Sequence, residues 1–317
     1  MIPTPDAVSL TNIFSLFPDE DAARNYIEAV RWPSGPVCPH CGCTEREKVA
    51  RLKPDAEKKI RKGLLFCVAC RKQFTCTVGT IFEDSHIPLN KWLLAFYLIS
   101  SSKTGISALA IQRHLELGSY RTAWFLCHRV RHALQNSDKS PLAGIIEADE
   151  TYFGHKGRGS RRGKAVKKST VLALVQRGGS ARAVVKPAPK ANARDIRRFV
   201  MKNVDPKRTV LHSDESKLYV TPGRMMVKHE TVNHSIEEYA RGDVTTNGVE
   251  GLFANFKTSI VGIFHGVGHD YLPKYLDSYL WTFNNRKKSD GAKMLDAIQR
   301  TEGKRLTLEA PKRDVKR

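Results

Sequence analysis

Gly144-Ile145-Ile146-Glu147-Ala148-Asp149-Glu150-Thr151-Tyr152-Phe153 is the stretch on which the fold turns. It is apolar-rich yet carries acids, and it predicts a strand with Asp149 inside it. Downstream, residues 170–176 and 181–186 read as two β-branched strands joined by Arg177-Gly178-Gly179-Ser180, a hairpin signal. Residues 191–203 predict a helix. Residues 208–212 predict a strand that ends at Ser213-Asp214-Glu215, and a further strand lies near 226–233. Helical spacing returns at 247–260 and 271–285. Strands followed by alternating helices and strands predict an α/β domain over 141–288, a mixed sheet flanked by helices.

Upstream of that strand the pattern is helical. Trp92, Leu93, Ala95, Phe96, Leu98 and Ile99 have helix-compatible spacing. Ser107-Ala-Leu-Ala-Ile-Gln-Arg-His-Leu115 makes a short helix, Leu117-Gly-Ser-Tyr120 a turn, and residues 121–134 a second helix bearing Arg121, Arg129 and Arg131. Helix, tight turn and basic helix form a helix-turn-helix outline over 86–140, a DNA-binding region with these three arginines as contacts. A plain helical hairpin with a solvated basic face has the same pattern.

The first 85 residues, an N-terminal helix and zinc ribbon, hold Cys38-Pro-His-Cys41 and Cys67-Val-Ala-Cys70 with 25 residues between the pairs. Each C-x-x-C turn brings two thiolates to one point, and two turns supply four sulfurs for a tetrahedral, structural Zn2+. The charged stretch 45–62 reads as a solvated hairpin extension, and Cys43, Cys76 and Cys127 as small buried hydrophobes. Residues 289–317 are expected to form a basic C-terminal tail, mobile from residue 301 onward.

Composition narrows the class. Of 317 residues, 53 are Lys or Arg and 32 are Asp or Glu, a net charge of +21, while 41% are hydrophobic. That apolar share supports a core and excludes a disordered polybasic chain. No apolar run reaches the roughly 18 residues of a membrane span. The start, Met1-Ile-Pro-Thr-Pro-Asp6, lacks the pattern of an export signal, so an intracellular protein is expected. The excess charge suits a polyanion, with nucleic acid leading. Residues 155–168 contain Lys156, Arg158, Arg161, Arg162 and Lys164 and no acid; they are the best stretch for gripping phosphates.

Three acids stand out. Asp149 lies within the first predicted strand of the second half, Asp214 follows a later one, and Glu250 comes after 35 further residues, within Asn247-Gly248-Val249-Glu250. Asn247, Glu250, Ala254 and Lys257 follow 3/4 spacing and share one helix face. Two aspartates plus a helix-borne carboxylate suit a pair of Mg2+ or Mn2+ ions and in-line phosphoryl transfer. Taken singly, a strand-end Asp is more often a turn or cap residue. Glu147, Glu150 and Glu215 read as solvated or ion-paired neighbours.

The motifs resemble a known group. Residues 26–42, Phe66-Cys-Val-Ala-Cys70 to Phe74, Val78-Gly-Thr-Ile-Phe-Glu83 and Pro88-Leu-Asn-Lys-Trp92 resemble the opening of bacterial insertion-sequence transposases of the ISXO-two-like group, insertion-sequence family 1595. Ala148-Asp-Glu-Thr-Tyr-Phe-Gly154, the segment from Asn247 to Lys257, and Tyr271-Leu-Pro-Lys-Tyr-Leu276 to Asn285-Arg286 continue the likeness into that group's catalytic domain. It covers about residues 10–287. It implies an RNase H-like fold, hydrolysis at the element's 3′ ends and strand transfer into target DNA. It further implies a homo-oligomer on double-stranded DNA and a cytoplasmic, nucleoid-associated protein. Asp149 and Asp214 map onto the group's two aspartates. A D-D-N-K pattern described for many members would fall on Asn247 and Lys257. An amide is a poorer ligand for a hard cation than a carboxylate, so Glu250 ranks first as third ligand. Asn247 is then a neutral helper and Lys257 a phosphate contact. A DNA-binding derivative without catalysis and a metal-dependent nuclease remain as alternatives.

Overall fold

A single turn, α1 (Ile13–Leu16), precedes α2 (Glu20–Arg31), whose start is set by Asp19. The Asp19 carboxylate accepts from the Ala22 amide at 2.8 Å, which satisfies one of the donors a helix start leaves open. The structure, a computed structural model, describes residues 3–135, 140–153, 169–187, 192–232 and 240–307. They fall into two units, Met1–Ser102 with Ile106–Leu134 and Lys287–Arg317, and Lys103–Gly105 with Gln135–Arg286.

In the first unit, three short strands, β1 (Val49–Arg51), β2 (Leu65–Cys67) and β3 (Lys72–Phe74), form an antiparallel sheet in that order. Next comes α3 (Leu89–Ser101), apolar on nearly every side; Trp92, Leu93, Ala95 and Phe96 are fully buried. A helix apolar all round has to be wrapped by others, and α3 is the core of this unit. Two capped helices follow, α4 (Ala108–His114) and α5 (Tyr120–Ala133). Ser107 accepts from Ala110 and Ser119 from Thr122, each at 3.1 Å, so both helices begin where a hydroxyl is available.

The second unit is built on β4 (Leu142–Phe153), the strand foreseen from its acids. A hairpin of β5 (Ser169–Gln176) and β6 (Ala181–Pro187) runs antiparallel beside it. Helix α6 (Ala193–Asn203) then crosses to β7 (Val204–Asp214), which is parallel to β4. A short turn, α7 (Val220–Gly223), leads to β8 (Lys228–Val232), parallel to β7. The two-stranded ribbon β9 (Ala240–Arg241) and β10 (Val244–Thr245) precedes α8 (Asn247–Thr258). A π-helical turn (Ser259–Ile263) and α9 (Leu272–Asn284) complete the unit.

The sheet order is β6-β5-β4-β7-β8. Counted from β4 it is 3-2-1-4-5 with the first three strands antiparallel, the RNase H-like arrangement. Alternation along each strand divides two cores. Ile146 and Ala148 face a layer with Leu211, Ile196 and Val200. Phe153, Val171, Ala173 and Val175 face Val249, Leu252, Phe253 and Phe256 of α8 and Leu276 and Leu280 of α9. β5 is buried throughout Ser169–Val175, which is why its sequence reads as a continuous apolar run rather than an alternation.

One boundary differs from the sequence reading. Within the stretch expected as a tail, Asp290–Gln299 forms a helix, α10, capped by Ser289 and packed on α3 in the first unit. Met294, Ala297 and Ile298 are fully buried. At Gly291 an added Cβ would lie 1.9 Å from the Pro5 carbonyl oxygen, so only glycine permits that approach. The charges of this segment hid a four-residue apolar spacing. The region expected at 1–85 and most of that expected at 86–140 also fall in this one unit, whereas 103–105 and the residues from 135 onward fall in the second, up to residue 286.

Candidate metal and nucleic-acid sites

Register brings the two aspartates together. Ala148 of β4 pairs with Ser213 of β7, so Asp149 and Asp214 are the next residues along neighbouring parallel strands. Such strands lie roughly 4.8 Å apart. Asp149 shares its strand face with Glu147 and Asp214 with His212. That is the side on which α8 begins, since the Gly248 amide donates to Glu147.

Burial and neighbouring charge act on Asp149 in the same direction. Burial pushes the Asp149 carboxyl up to about 7, and the nearby charges of Asp214, Glu150 and Glu250 push it in the same direction. The Glu150 amide, donating to Asp149 Oδ1 at 2.7 Å, opposes part of that rise. Asp214 Oδ1 accepts from the Ser216 amide at 3.1 Å. Glu250 lies in the first turn of α8, where the Thr246 hydroxyl donates to its Oε1 at 2.6 Å. Asn247 and Lys257 are exposed on α8, whereas Val249, Leu252, Phe253 and Phe256 are buried, so Asn247, Glu250, Ala254 and Lys257 do share the outer face.

Alternation sends Glu150 the other way. Its Oε2 accepts from the buried Tyr219 hydroxyl at 2.7 Å, and burial raises its carboxyl above the ordinary range. Of the two readings of Glu147 the ion-paired one holds: it is 3% exposed and paired with Arg177 at 3.2 Å. Sequence reasoning missed Glu147 as a structural element of the site, although its place two residues before Asp149 put it on the same strand face. It gave no signal at all for Tyr219.

At the ribbon, the sulfurs of Cys38, Cys41, Cys67 and Cys70 all lie within 4.8 Å of one another, with Cys38 3.6 Å from Cys70 and Cys41 3.7 Å from Cys67. The Cys70 amide, donating to the Cys67 sulfur, is the main cause that brings the Cys67 thiol down to about 7, while Cys41 and Cys70 beside it are raised. Among the described residues this is the group of ligand atoms close enough to hold an ion. His40 is exposed and lies 3.4 Å from the Gln73 carbonyl. Cys76 and Cys127 are buried, as expected of small hydrophobes, and Cys43 partly so.

The basic residues divide. Arg121 is exposed in the first turn of α5. Arg129 and Arg131, expected to contact DNA, are instead 7% and 4% exposed, because the second half of α5 faces inward. Arg129 lies over the Phe125 ring, 4.8 Å from its centroid. Lys156, Arg158, Arg161, Arg162 and Lys164 lie outside the described residues. No helix among the described residues is long and apolar enough to cross a membrane.

Comparison with known proteins follows the same division. Residues 18–73 match the transposase zinc-ribbon domain and residues 141–284 the ISXO2-like transposase domain. An uncharacterized protein in transposable element ISH50 of Halobacterium salinarum is 30% identical over 279 residues, covering 83% of this chain and 90% of that protein. A chain of the simian T-cell lymphotropic virus intasome in complex with PP2A regulatory subunit B56 gamma superposes with a TM-score of 0.31 at 14% identity. The match covers 56% of this chain and 64%, less than two thirds, of that one. A chain of a pre-cleavage Mos1 transpososome has a TM-score of 0.29 at 13% identity over 71% of this chain and 78% of its own. The ribbon, the RNase H-like sheet with its acids, and a relative matched over nearly its whole length place the chain in the ISXO2-like family of insertion-sequence transposases.

Proposed function

We propose that this transposase binds the double-stranded ends of its insertion sequence, cleaves at the 3′ ends and transfers those ends into target DNA. The observation that supports catalysis is the strand register that sets Asp149 beside Asp214, where burial first, and the charges of Asp214, Glu150 and Glu250 after it, push the Asp149 carboxyl up to about 7. Carboxylates held together with too little positive charge fit divalent cations, and their hard oxygens suit Mg2+ or Mn2+. Asp149, Asp214 and Glu250 would hold these ions, which when bound supply activation of a hydroxyl nucleophile and charge stabilisation at phosphorus.

The chain's own groups do the rest. Asp149 and Asp214, on adjacent strands, offer a rigid pair of acceptors. Glu250, in the first turn of α8 and steadied by Thr246, lies near enough for its charge to act on Asp149, and it ranks above Asn247, whose side chain is exposed. Lys257, on the same helix face, reaches toward a DNA phosphate. Cys38, Cys41, Cys67 and Cys70 hold a structural Zn2+ whose four sulfurs leave no open position. Arg121, with Lys156, Arg158, Arg161, Arg162 and Lys164, contacts phosphates, and a homo-oligomer in the cytoplasm brings two ends together.

The test uses purified protein, end DNA and a 3′-hydroxyl oligonucleotide. Asp149→Ala and Asp214→Ala should abolish both cleavage and joining while sparing end binding. Retained activity in either variant removes that carboxylate from the site. Cleavage without joining by the wild type would make the protein a nuclease.

A further inference from the structure

The first turn of α8 has its backbone donors accounted for in an unusual way. The Thr246 hydroxyl donates to Glu250 and caps no amide. The Asn247 amide donates to Thr245 Oγ1 at 3.1 Å and the Glu250 amide to the Thr246 carbonyl at 3.0 Å. The two remaining donors, Gly248 and Val249, both go to Glu147 Oε2, at 2.6 and 3.1 Å. Glu147 is a cap supplied from the central strand, 101 residues before the glycine it binds.

The carboxylate is itself held. Its other oxygen, Oε1, accepts from Arg177 Nη2 at 3.2 Å, and the same Nη2 lies 3.5 Å from His212 Nδ1. His212 pairs in register with Glu147 on one side and Glu230 on the other, and its Nε2 is 3.7 Å from Glu230 Oε2. A row Glu147–His212–Glu230 thus crosses β4, β7 and β8 two residues before Asp149 and Asp214. Each oxygen of Glu147 has a separate partner, so the side chain cannot swing without breaking one set. A negative charge at a helix N-terminus also gains from the helix dipole. The contact is tight: a Cβ on Gly248 would lie 2.6 Å from Glu147 Oε2.

We propose that Glu147 is a positioning residue: it pins the start of α8, and thereby Glu250 two and one residues beyond its amide donors, against the strand pair that carries Asp149 and Asp214. Gly248 is the matching half of the device, since only hydrogen in place of a side chain lets the carboxylate reach the amides. This inference rests on the reading of Asp149, Asp214 and Glu250 as the cation site. Partners that orient metal ligands typically contribute 10–100-fold to metal affinity or activity.

Glu147→Asp draws the carboxylate back by one methylene, and Gly248→Ala pushes the helix start away from an intact carboxylate. In zinc-loaded full-length protein, both should weaken Mn2+ binding in calorimetry by about 10–100-fold. Turnover in end cleavage should fall alongside, with KM for end DNA unchanged. In the unmodified protein, hydrogen exchange at the Gly248 and Val249 amides should be slow; fast exchange there overturns the inference without any variant. Wild-type Mn2+ affinity in both variants, even with lowered stability, overturns it while Glu250→Gln still binds Mn2+ weakly. If Glu250→Gln itself binds Mn2+ like the wild type, the cation site as read above falls, and this inference with it.

Discussion

Glu150 and Tyr219, 69 residues apart, are joined by a 2.7 Å hydrogen bond on the face of the sheet opposite α8. Asp149, one residue earlier on the same strand, faces α8. Adjacent acids on one strand therefore have different surroundings: one is a structural acceptor against a buried phenol, the other belongs to the proposed cation site. Tyr219 sits among Leu172, Leu174 and Leu211, so loss of its hydroxyl leaves the Glu150 carboxylate short of its donor.

Tyr219→Phe should lower stability by roughly 1 kcal/mol, the cost of depriving a half-buried acceptor of its partner. Turnover should stay within a few-fold of wild type under conditions where the variant is folded. Urea unfolding alongside an end-cleavage assay checks both halves, and loss of turnover in a fully folded variant would tie Tyr219 to the chemistry instead.

Asp149 links stability to pH. Its native pKa of about 7 stands above the 3.8 of an ordinary Asp, so the folded chain holds its proton more tightly than the unfolded one. The stabilisation is fully present below about pH 3.8 and is lost as pH rises through about 7. In magnesium-free buffer without a chelator, the wild type should lose Tm relative to Asp149→Asn between pH 5 and pH 8. Adding Mg2+ at pH 8 should restore Tm in the wild type alone. Parallel Tm curves for the two proteins would contradict this.

The ribbon should carry about one zinc per chain, since four converging sulfurs make one tetrahedral site. Cys67→Ser should lose that zinc and unfold the small sheet, because closing such a site is part of folding it. Elemental analysis of the purified protein with far-ultraviolet dichroism measures both. A folded protein without zinc would reject the assignment.

Truncation before Asp290 tests α10. The shortened chain should lose the fold of its first unit, since Met294, Ala297 and Ile298 leave its core. It also loses the two-point pair of Glu302 with the buried Arg31, Nε to Oε2 at 2.7 Å and Nη2 to Oε1 at 2.8 Å. Limited proteolysis should cut within 13–134 in the truncated protein and spare the same region in the full chain. Equal resistance would show α10 to be dispensable.

Arg121→Ala and Arg129→Met should behave differently. The exposed Arg121 should cost DNA affinity and reduce the salt slope by about one, as expected when one phosphate contact is removed. Arg129, desolvated over Phe125 and close to Asp84 and Glu83, should affect stability first and DNA affinity only through unfolding. Filter binding across a salt series, paired with thermal melts, separates the two.

Much of this protein was legible in one dimension. Cys38, Cys41, Cys67 and Cys70 declared themselves by spacing, because each C-x-x-C turn is a local geometry. The strands and helices of the second unit followed from periodicity, since each buries a face set by its own repeat. Asp149, Asp214 and Glu250 could be chosen as acids in order, but not shown to meet.

The three-dimensional fold alone decided how charge is shared. Parallel register set Asp149 beside Asp214, and a contact spanning 101 residues turned Glu147 from an ordinary neighbour into the cap of α8. Inward rotation of α5 withdrew Arg129 and Arg131 from solvent, and burial of Met294 and Ile298 turned an apparent tail into core. The reason is physical: a residue's local repeat is written within a few neighbours, whereas desolvation and partnering of a charge depend on chain segments that only folding brings near.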